Sequence, residues 1–518
     1  MFSKPVRILL MLTIIMATFA YAPNAMADDI TDTKGFRKGV TLAGIREHQA
    51  AFQSFANANG GNRLATFAGH DASAQYVYDR AVAAGYDVHF QEFTFLLVSD
   101  RTPPVLQQVS PTAKTYVDGP DFQSMQYSGS GDVTAAVTAV DLNLPSTGGS
   151  TSGCEAADFA GFPAGTIALM QRGTCTFRAK AENALVAGAA GVIIFNEGND
   201  PGRVAVLSGT LAPPPFSLPA VGTTFALGLE LNGGVNNGPT GVVAHLKTDT
   251  IAENRTTRNV IAETPGGDPN HVIVMGAHLD SVSRGPGIND NGSGSATILE
   301  VAEVFAEQGR VPRNKLRFAW WSGEEEGLIG STFYVNSLSQ AEKDAIELNL
   351  NFDMIGSPNF VRFVYDGNNS AGGGTVGPAG SGAIEQVFLD YFASQNLPNE
   401  PTPFNGRSDY GPFIAAGIPA GGLFTGAEGV KTAAQVATYG GTAGAQYDPC
   451  YHLACDTFAN NSNTALDQMS DAVAHAVLLF SKENFAKQPL VDPAAATART
   501  ASSSTSSLQT ADQATVDK

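Results

Sequence analysis

His278, Leu279 and Asp280 close the apolar run Val272 to Ala277, and Asn289-Asp290-Asn291-Gly292 follows shortly after. A histidine and a carboxylate presented in this way are half of a hydrolytic site built on two metal ions. The missing ligand types come later, each at the end of another predicted strand: Glu324-Glu325, Asp353 and Tyr451-His452. His278, Asp290, Glu325, Asp353 and His452 on separate elements suggest zinc, which takes imidazole and carboxylate donors.

Two zinc ions about 3.5–4 Å apart polarise a carbonyl and lower the pKa of a bridging water, giving a nucleophile at neutral pH. Such a site needs one bridging carboxylate, and Asp290 is assigned to it. His278 and Asp353 are assigned to one ion, Glu325 and His452 to the other. Asp280 is expected behind His278, accepting the second imidazole N–H and fixing its tautomer. Glu324 is then the general base and, later, the acid. Tyr451 is placed to donate a hydrogen bond to the oxyanion of the tetrahedral intermediate.

Each residue also has a plainer reading. Asp290 before a helix could be an N-cap, Asp353 could close a strand, and Tyr451-His452 could sit in a surface loop. Chance does not readily supply all five ligand positions together. Other motifs fail: Gly285-Pro-Gly287-Ile-Asn-Asp290 has an aspartate where a dinucleotide fingerprint needs its third glycine. There is no phosphate-binding G-x-x-x-x-G-K-[ST], no H-E-x-x-H and no G-x-S-x-G elbow. His48, His70, His89, His245, His271 and His475 are assigned to structure or surface, and Trp320 and Trp321 to strand packing.

The elements that must position these groups run through a chain of 518 residues, more than one core usually serves. Lys4 and Arg7, the apolar stretch Ile8 to Phe19 and Ala25-Met26-Ala27 read as a signal peptide over residues 1–27. The apolar stretch falls short of the ~20 residues that span a bilayer. Export to the periplasm or the medium is therefore expected. A net charge of −19 disfavours nucleic acid and anionic membranes as partners. The four cysteines fall in two regions, predicting the local disulfides Cys154–Cys175 and Cys450–Cys455 in an oxidising compartment.

Helices are predicted over Ile45–Ala58 and Asp71–Ala84, the second with Asp71 as its N-cap, followed by a strand over Asp87–Leu97. From Asn259 strands and helices alternate: strands at His271–Ala277, Lys315–Trp321 and Leu348–Ile355, helices at Ser295–Glu307, Gly327–Ser337, Gly382–Gln395 and Thr464–Ser481. Near-continuous apolar strands imply an α/β fold with a mixed, mostly parallel sheet sandwiched by helices. Its discontinuous domain is assigned to residues 28–126 and 248–487, interrupted by a β-rich insert over 127–247. The Ala, Ser and Thr rich segment 488–518 reads as a flexible tail or a removable propeptide.

In the insert, Cys154-Glu-Ala-Ala-Asp-Phe, Arg172-Gly-Thr-Cys175-Thr-Phe and Gly188-Ala-Ala-Gly-Val-Ile-Ile-Phe-Asn196 resemble the protease-associated (PA) domain of secreted peptidases. Met275-Gly-Ala-His-Leu-Asp-Ser281, Trp321-Ser-Gly-Glu-Glu-Glu-Gly-Leu-Ile-Gly-Ser331, Asn351-Phe-Asp-Met-Ile-Gly356, Arg407-Ser-Asp-Tyr410 and Asp448-Pro-Cys-Tyr-His-Leu-Ala-Cys-Asp456 resemble the secreted di-zinc aminopeptidases of metallopeptidase family 28. The resemblance implies a zinc exopeptidase fold, two zinc ions and peptide substrates with a free N-terminus, often with a large apolar first residue such as leucine. It also implies that carboxylates near the ions, here Glu324 and Asp353, receive the α-amino group. Aligning Gly327-Leu-Ile-Gly-Ser331 places base and ligand at Glu324 and Glu325; a slip would shift them to Glu325 and Glu326. Arg407 falls where the family lines its substrate pocket, with a loop-holding ion pair as the alternative. The rival functions are a carboxypeptidase of the same family and an inactive peptide-binding relative.

Overall fold

The computed structural model describes residues 32–200 and 203–492, so the expected signal peptide and nearly all of the expected tail lie outside the described residues. Among the described residues fourteen strands form one sheet: β1 (Asp87–Ser110), β2 (Lys114–Thr115), β3 (Phe122–Ser124), β4 (Gly131–Ala139), β5 (Ile167–Gln171), β6 (Gly191–Phe195), β7 (Ala220–Thr223), β8 (Gly238–Glu263), β9 (Asp268–His278), β10 (Asn314–Trp321), β11 (Ile346–Phe352), β12 (Phe363–Tyr365), β13 (Glu400–Thr402) and β14 (Ala420–Phe424). Their order is β13-β12-β14-β11-β9-β10-β8-β4-β5-β6-β7-β3, with β1 on β8.

In the half that carries His278, β14, β11, β9 and β10 are parallel. Alternation along each strand sends residues to opposite faces. Ile273, Met275, Phe318 and Trp320 join one core with helices Leu42–Ala58, Ala68–Ala83, Gly292–Glu307, Ser381–Ser394 and Asn463–Lys482. Val272, Val274, Ala319 and Trp321 join the opposite core with Tyr334, Val335 and Phe413 of two further helices. Trp320 and Trp321 are both fully buried, as packing residues. Each large side chain buried this way contributes on the order of 2–3 kcal/mol of transfer free energy. Trp321 fits only because Gly276 faces it: a Cβ there would lie 2.4 Å from the indole nitrogen.

The second half, β4 to β7 in parallel with β3 antiparallel to β7, has its own cores on both faces. Leu106, Tyr116 and Phe122 belong to one of them, so residues before Tyr127 pack with the insert. β1 and β8 join the halves as an antiparallel ribbon of 24 and 26 residues. The strand expected to end at Leu97 continues through Pro103-Pro104 because its register shifts there, between Thr102 and Val105. A bulge releases the donor that proline lacks. The second helix begins at Ala68, so Asp71 is not its N-cap. Instead Asp71 sits in the first turn and pairs with Arg258 at 3.1 Å, a tertiary contact overriding the local signal.

Both expected disulfides are present, Cys154–Cys175 and Cys450–Cys455. No helix among the described residues is long and apolar enough to cross a membrane. At the C-terminal end Asp492 accepts hydrogen bonds from Gly380 N and Ala383 N and Leu490 packs on the main core, so the first residues of the expected tail are docked.

Candidate metal centre

The adjacent parallel strands β11, β9 and β10 bring three chain ends together. His278 is the last residue of β9, Asp353 follows β11 directly, and Glu324 and Glu325 lie in the turn after β10. Ligands of open α/β sheets collect at such carboxyl ends. Asp290 arrives from the loop before helix Gly292–Glu307. Asn291 caps that helix, accepting from Gly294 N at 2.9 Å, so Asp290 is free of the capping role. His452 comes from the loop closed by Cys450 and Cys455.

His278 Nε2 lies 3.2 Å from Asp290 Oδ1, 3.3 Å from Asp353 Oδ1 and 4.0 Å from Glu324 Oε2. His452 Nε2 lies 3.1 Å from Asp290 Oδ2 and 3.1 Å from Glu325 Oε2. Asp290 thus turns one oxygen to each histidine, as a bridging carboxylate would. The structure brings all five predicted ligands together. Glu324 and Glu325 are the glutamates of this run that approach the two histidines, at 4.0 and 3.1 Å, which favours the register with those two at the centre.

These residues fit a metal. His278 Nε2 and Asp353 Oδ1 are buried without a hydrogen-bond partner. Separations of 3.1–3.3 Å exceed the ~2.7–2.9 Å of a charged hydrogen bond and suit ligands each about 2.0–2.2 Å from one zinc. Carboxylates also outnumber cations here. Burial opposes the charged form of His452, but Glu325 and Asp290 raise its pKa to about 10. Burial pushes Asp280 up to about 6 and Asp409 to about 7, against the pull of His278 on both.

Asp280 differs from expectation. Its carboxylate is 3.8 Å from His278 Nδ1, beyond a hydrogen bond, and the nearer acceptor is its backbone carbonyl at 3.3 Å. The carboxylate instead accepts from Glu324 N and Glu325 N, each at 3.3 Å. A buried anion facing two turn amides is held by them, so it steadies the glutamate pair. Tyr451 stacks on His452 with ring centroids 3.8 Å apart. Arg407 donates to Glu428 at 2.6 Å and to Tyr451 Oη at 3.2 Å, so it is held by an ion pair beside Tyr451.

Several supporting residues carry no local signal in the sequence. Ser408 donates to Asp353 Oδ2 at 2.6 Å and accepts from Asn351 Nδ2 at 2.8 Å. Asp456 accepts from Asn289 N and Asp290 N at 2.8 and 3.0 Å. Arg63, fully buried, donates to the carbonyls of Leu279, Pro286 and Gly287 and pins the loop between His278 and Asp290. Ser408 and Asp456 do fall inside quoted motifs; Arg63 could be found only by its contacts. Met354 and His452 have φ of +51° and +58°, a conformation costly for residues with a Cβ and common at functional sites.

A cavity of about 400 Å³ opens beside the centre, lined by Glu324, Asp353 and His452 on one side and by Phe363, Phe424 and Tyr447 on another. The profile of peptidase family M28 matches residues 259–477, and that of the PA domain matches residues 133–231. An aminopeptidase of Pseudomonas aeruginosa (strain UCBPP-PA14) is 47% identical over 441 residues, which cover 85% of this chain and 81% of that protein. The chain belongs to peptidase family M28. Leucine aminopeptidase 2 of Trichophyton rubrum is 42% identical over 466 residues, covering 89% of this chain and 87% of its own. The solved structure of BSAP, a zinc aminopeptidase from Bacillus subtilis, superposes with a TM-score of 0.59 at 25% identity, covering 86% of this chain and 97% of that one. The expectations of an M28 metallopeptidase, a mostly parallel α/β fold and a PA domain are met.

Proposed function

We propose that this M28 peptidase is an exported aminopeptidase that uses two zinc ions to remove the N-terminal residue of peptides, with preference for large apolar residues such as leucine. The observation that carries the reading is the pairing of Asp290 with both histidines, Oδ1 toward His278 and Oδ2 toward His452. His278 and Asp353 would hold one ion and Glu325 and His452 the other. Bound zinc supplies carbonyl polarisation and a more acidic water.

The residues of the chain do the rest. Glu324, at the rim of the cavity, takes the proton of the attacking water and passes it to the departing amine. Tyr451 Oη donates to the developing oxyanion. Asp353 and Glu324 receive the α-ammonium of the substrate. Phe363, Phe424 and Tyr447 give its first side chain an apolar wall.

The cavity favours a free amine over a free carboxylate. Asp290, Glu324, Asp353 and Glu428 line it against the single arginine Arg407, whose charge is met by Glu428 at 2.6 Å. That counts against the carboxypeptidase alternative. An inactive binding protein should lack candidate ligands, and this chain carries residues able to fill all five positions. Export rests on the sequence of residues 1–27. A panel of aminoacyl anilides, free and N-acetylated, assayed with chelator and zinc add-back, tests the proposal. Cleavage of free leucyl anilide only, lost on chelation and restored by zinc, supports it; cleavage of the acetylated substrates or indifference to chelator refutes it.

A further inference from the structure

Apart from the candidate metal centre, His48, Glu300 and Glu303 form a second cluster of donors. His48 lies on helix Leu42–Ala58. The glutamates lie on helix Gly292–Glu307, where a spacing of three puts both on one face. The His48 side chain is 0% exposed. Its Nδ1 is 2.8 Å from Tyr76 Oη, leaving Nε2 to the glutamates. Nε2 is 3.7 Å from Glu300 Oε2 and 3.6 Å from Glu303 Oε2 and has no hydrogen-bond partner.

A protonated imidazole paired with a carboxylate would close to about 2.7–2.9 Å. The longer separations found here suit donors that share an ion about 2.0–2.2 Å from each. The carboxylates are already oriented. Glu300 Oε1 accepts from Thr41 N at 3.0 Å and Thr41 Oγ1 at 3.2 Å, and Arg80 donates to both oxygens of Glu303 at 2.6 Å. Gly44 makes room: a Cβ on it would fall 2.1 Å from Glu300 Oε2. Glu303 also borders a cavity of about 350 Å³ with Arg80 and Glu307.

We propose that His48, Glu300 and Glu303 bind a zinc ion at a site separate from the candidate metal centre. One imidazole and two carboxylates with a fourth position for water form a donor set zinc accepts, whereas calcium and magnesium prefer oxygen alone. Eight helical residues, Gly292 to Leu299, about 12 Å of helix, lie between Asn291 and Glu300, so this ion touches no substrate. It ties helix Leu42–Ala58 to the helix that follows Asp290.

Anomalous diffraction at the zinc edge, from crystals of the full zinc-equilibrated enzyme, tests this without any variant. A peak between His48 Nε2 and the two glutamates is expected; its absence from a map that shows zinc elsewhere overturns the proposal. Metal analysis gives a second readout: His48→Gln should contain about one zinc per chain less than wild type and still cleave its peptide substrates. Unchanged zinc content in a folded His48→Gln protein also overturns it. The difference is read at His48 itself, so it stands whether the centre at Asp290 holds two ions, one or none.

Discussion

Ser408 Oγ donates to Asp353 Oδ2 across 2.6 Å, which leaves Asp353 Oδ1 aimed at His278 Nε2, 3.3 Å away. The hydroxyl thereby selects which carboxylate oxygen faces the candidate metal centre. Partners that orient a ligand in this way typically matter by 10–100-fold in metal affinity. Ser408→Ala should weaken zinc binding by roughly that factor while the thermal midpoint of the zinc-saturated enzyme changes little. Competition with a fluorescent chelator checks it; wild-type zinc affinity would remove Ser408 from the account.

Tyr451 Oη accepts from Arg407 at 3.2 Å, and the tyrosine ring lies against His452. If its hydroxyl serves the oxyanion, Tyr451→Phe should lower kcat by roughly 10²–10³, with KM and zinc content near wild type. Arg407→Ala should lower kcat in the same direction but by less, since the hydroxyl remains and only its anchor is lost. Steady-state kinetics on leucyl anilide decide. A Tyr451→Phe enzyme with unchanged kcat would rule out the oxyanion role.

His475 gives a pH dependence that does not involve the metal. Burial, with Arg37 adding to it, lowers its pKa to about 4, and Nδ1 is 2.8 Å from Thr33 Oγ1. The folded pKa lies below the unfolded value, so the unfolded chain binds the extra proton first. This stabilisation is present above about pH 6.5 and is lost as pH falls toward 4. Between pH 7 and 4.5 the loss is about 2 kcal/mol for a full shift. Denaturant unfolding of wild type and His475→Asn at both pH values should show a smaller pH effect in the variant. An equal effect would mean that His475 titrates normally.

Much of the fold was legible because β9, β10 and β11 are apolar on both faces and separated by amphipathic helices. The candidate site positions were legible for the same reason, since strand ends fix where His278, Glu324 and Asp353 must lie. Strand β14 carries no such signal. Its Ala420-Gly-Gly-Leu-Phe424 has no β-branched residue, and Gly422 is required because a Cβ would fall 1.9 Å from Asn351 O. Asp280 was assigned the right neighbourhood but the wrong contact, because backbone amides compete for a buried carboxylate and sequence does not display them. Arg63 acts on carbonyls more than 200 positions away, a relationship that only the folded chain creates.

The proposed mechanism divides labour between adjacent glutamates: Glu325 as a ligand beside His452, Glu324 as the proton carrier. Glu325 Oε2 is 3.1 Å from His452 Nε2, whereas the nearest histidine nitrogen to Glu324 is His278 Nε2 at 4.0 Å. The most direct test is to measure zinc content and turnover of leucyl anilide on one preparation of Glu324→Gln. Wild-type zinc with kcat reduced by at least about 10²–10⁴ is expected. Loss of zinc, or turnover near wild type with zinc in place, would contradict it.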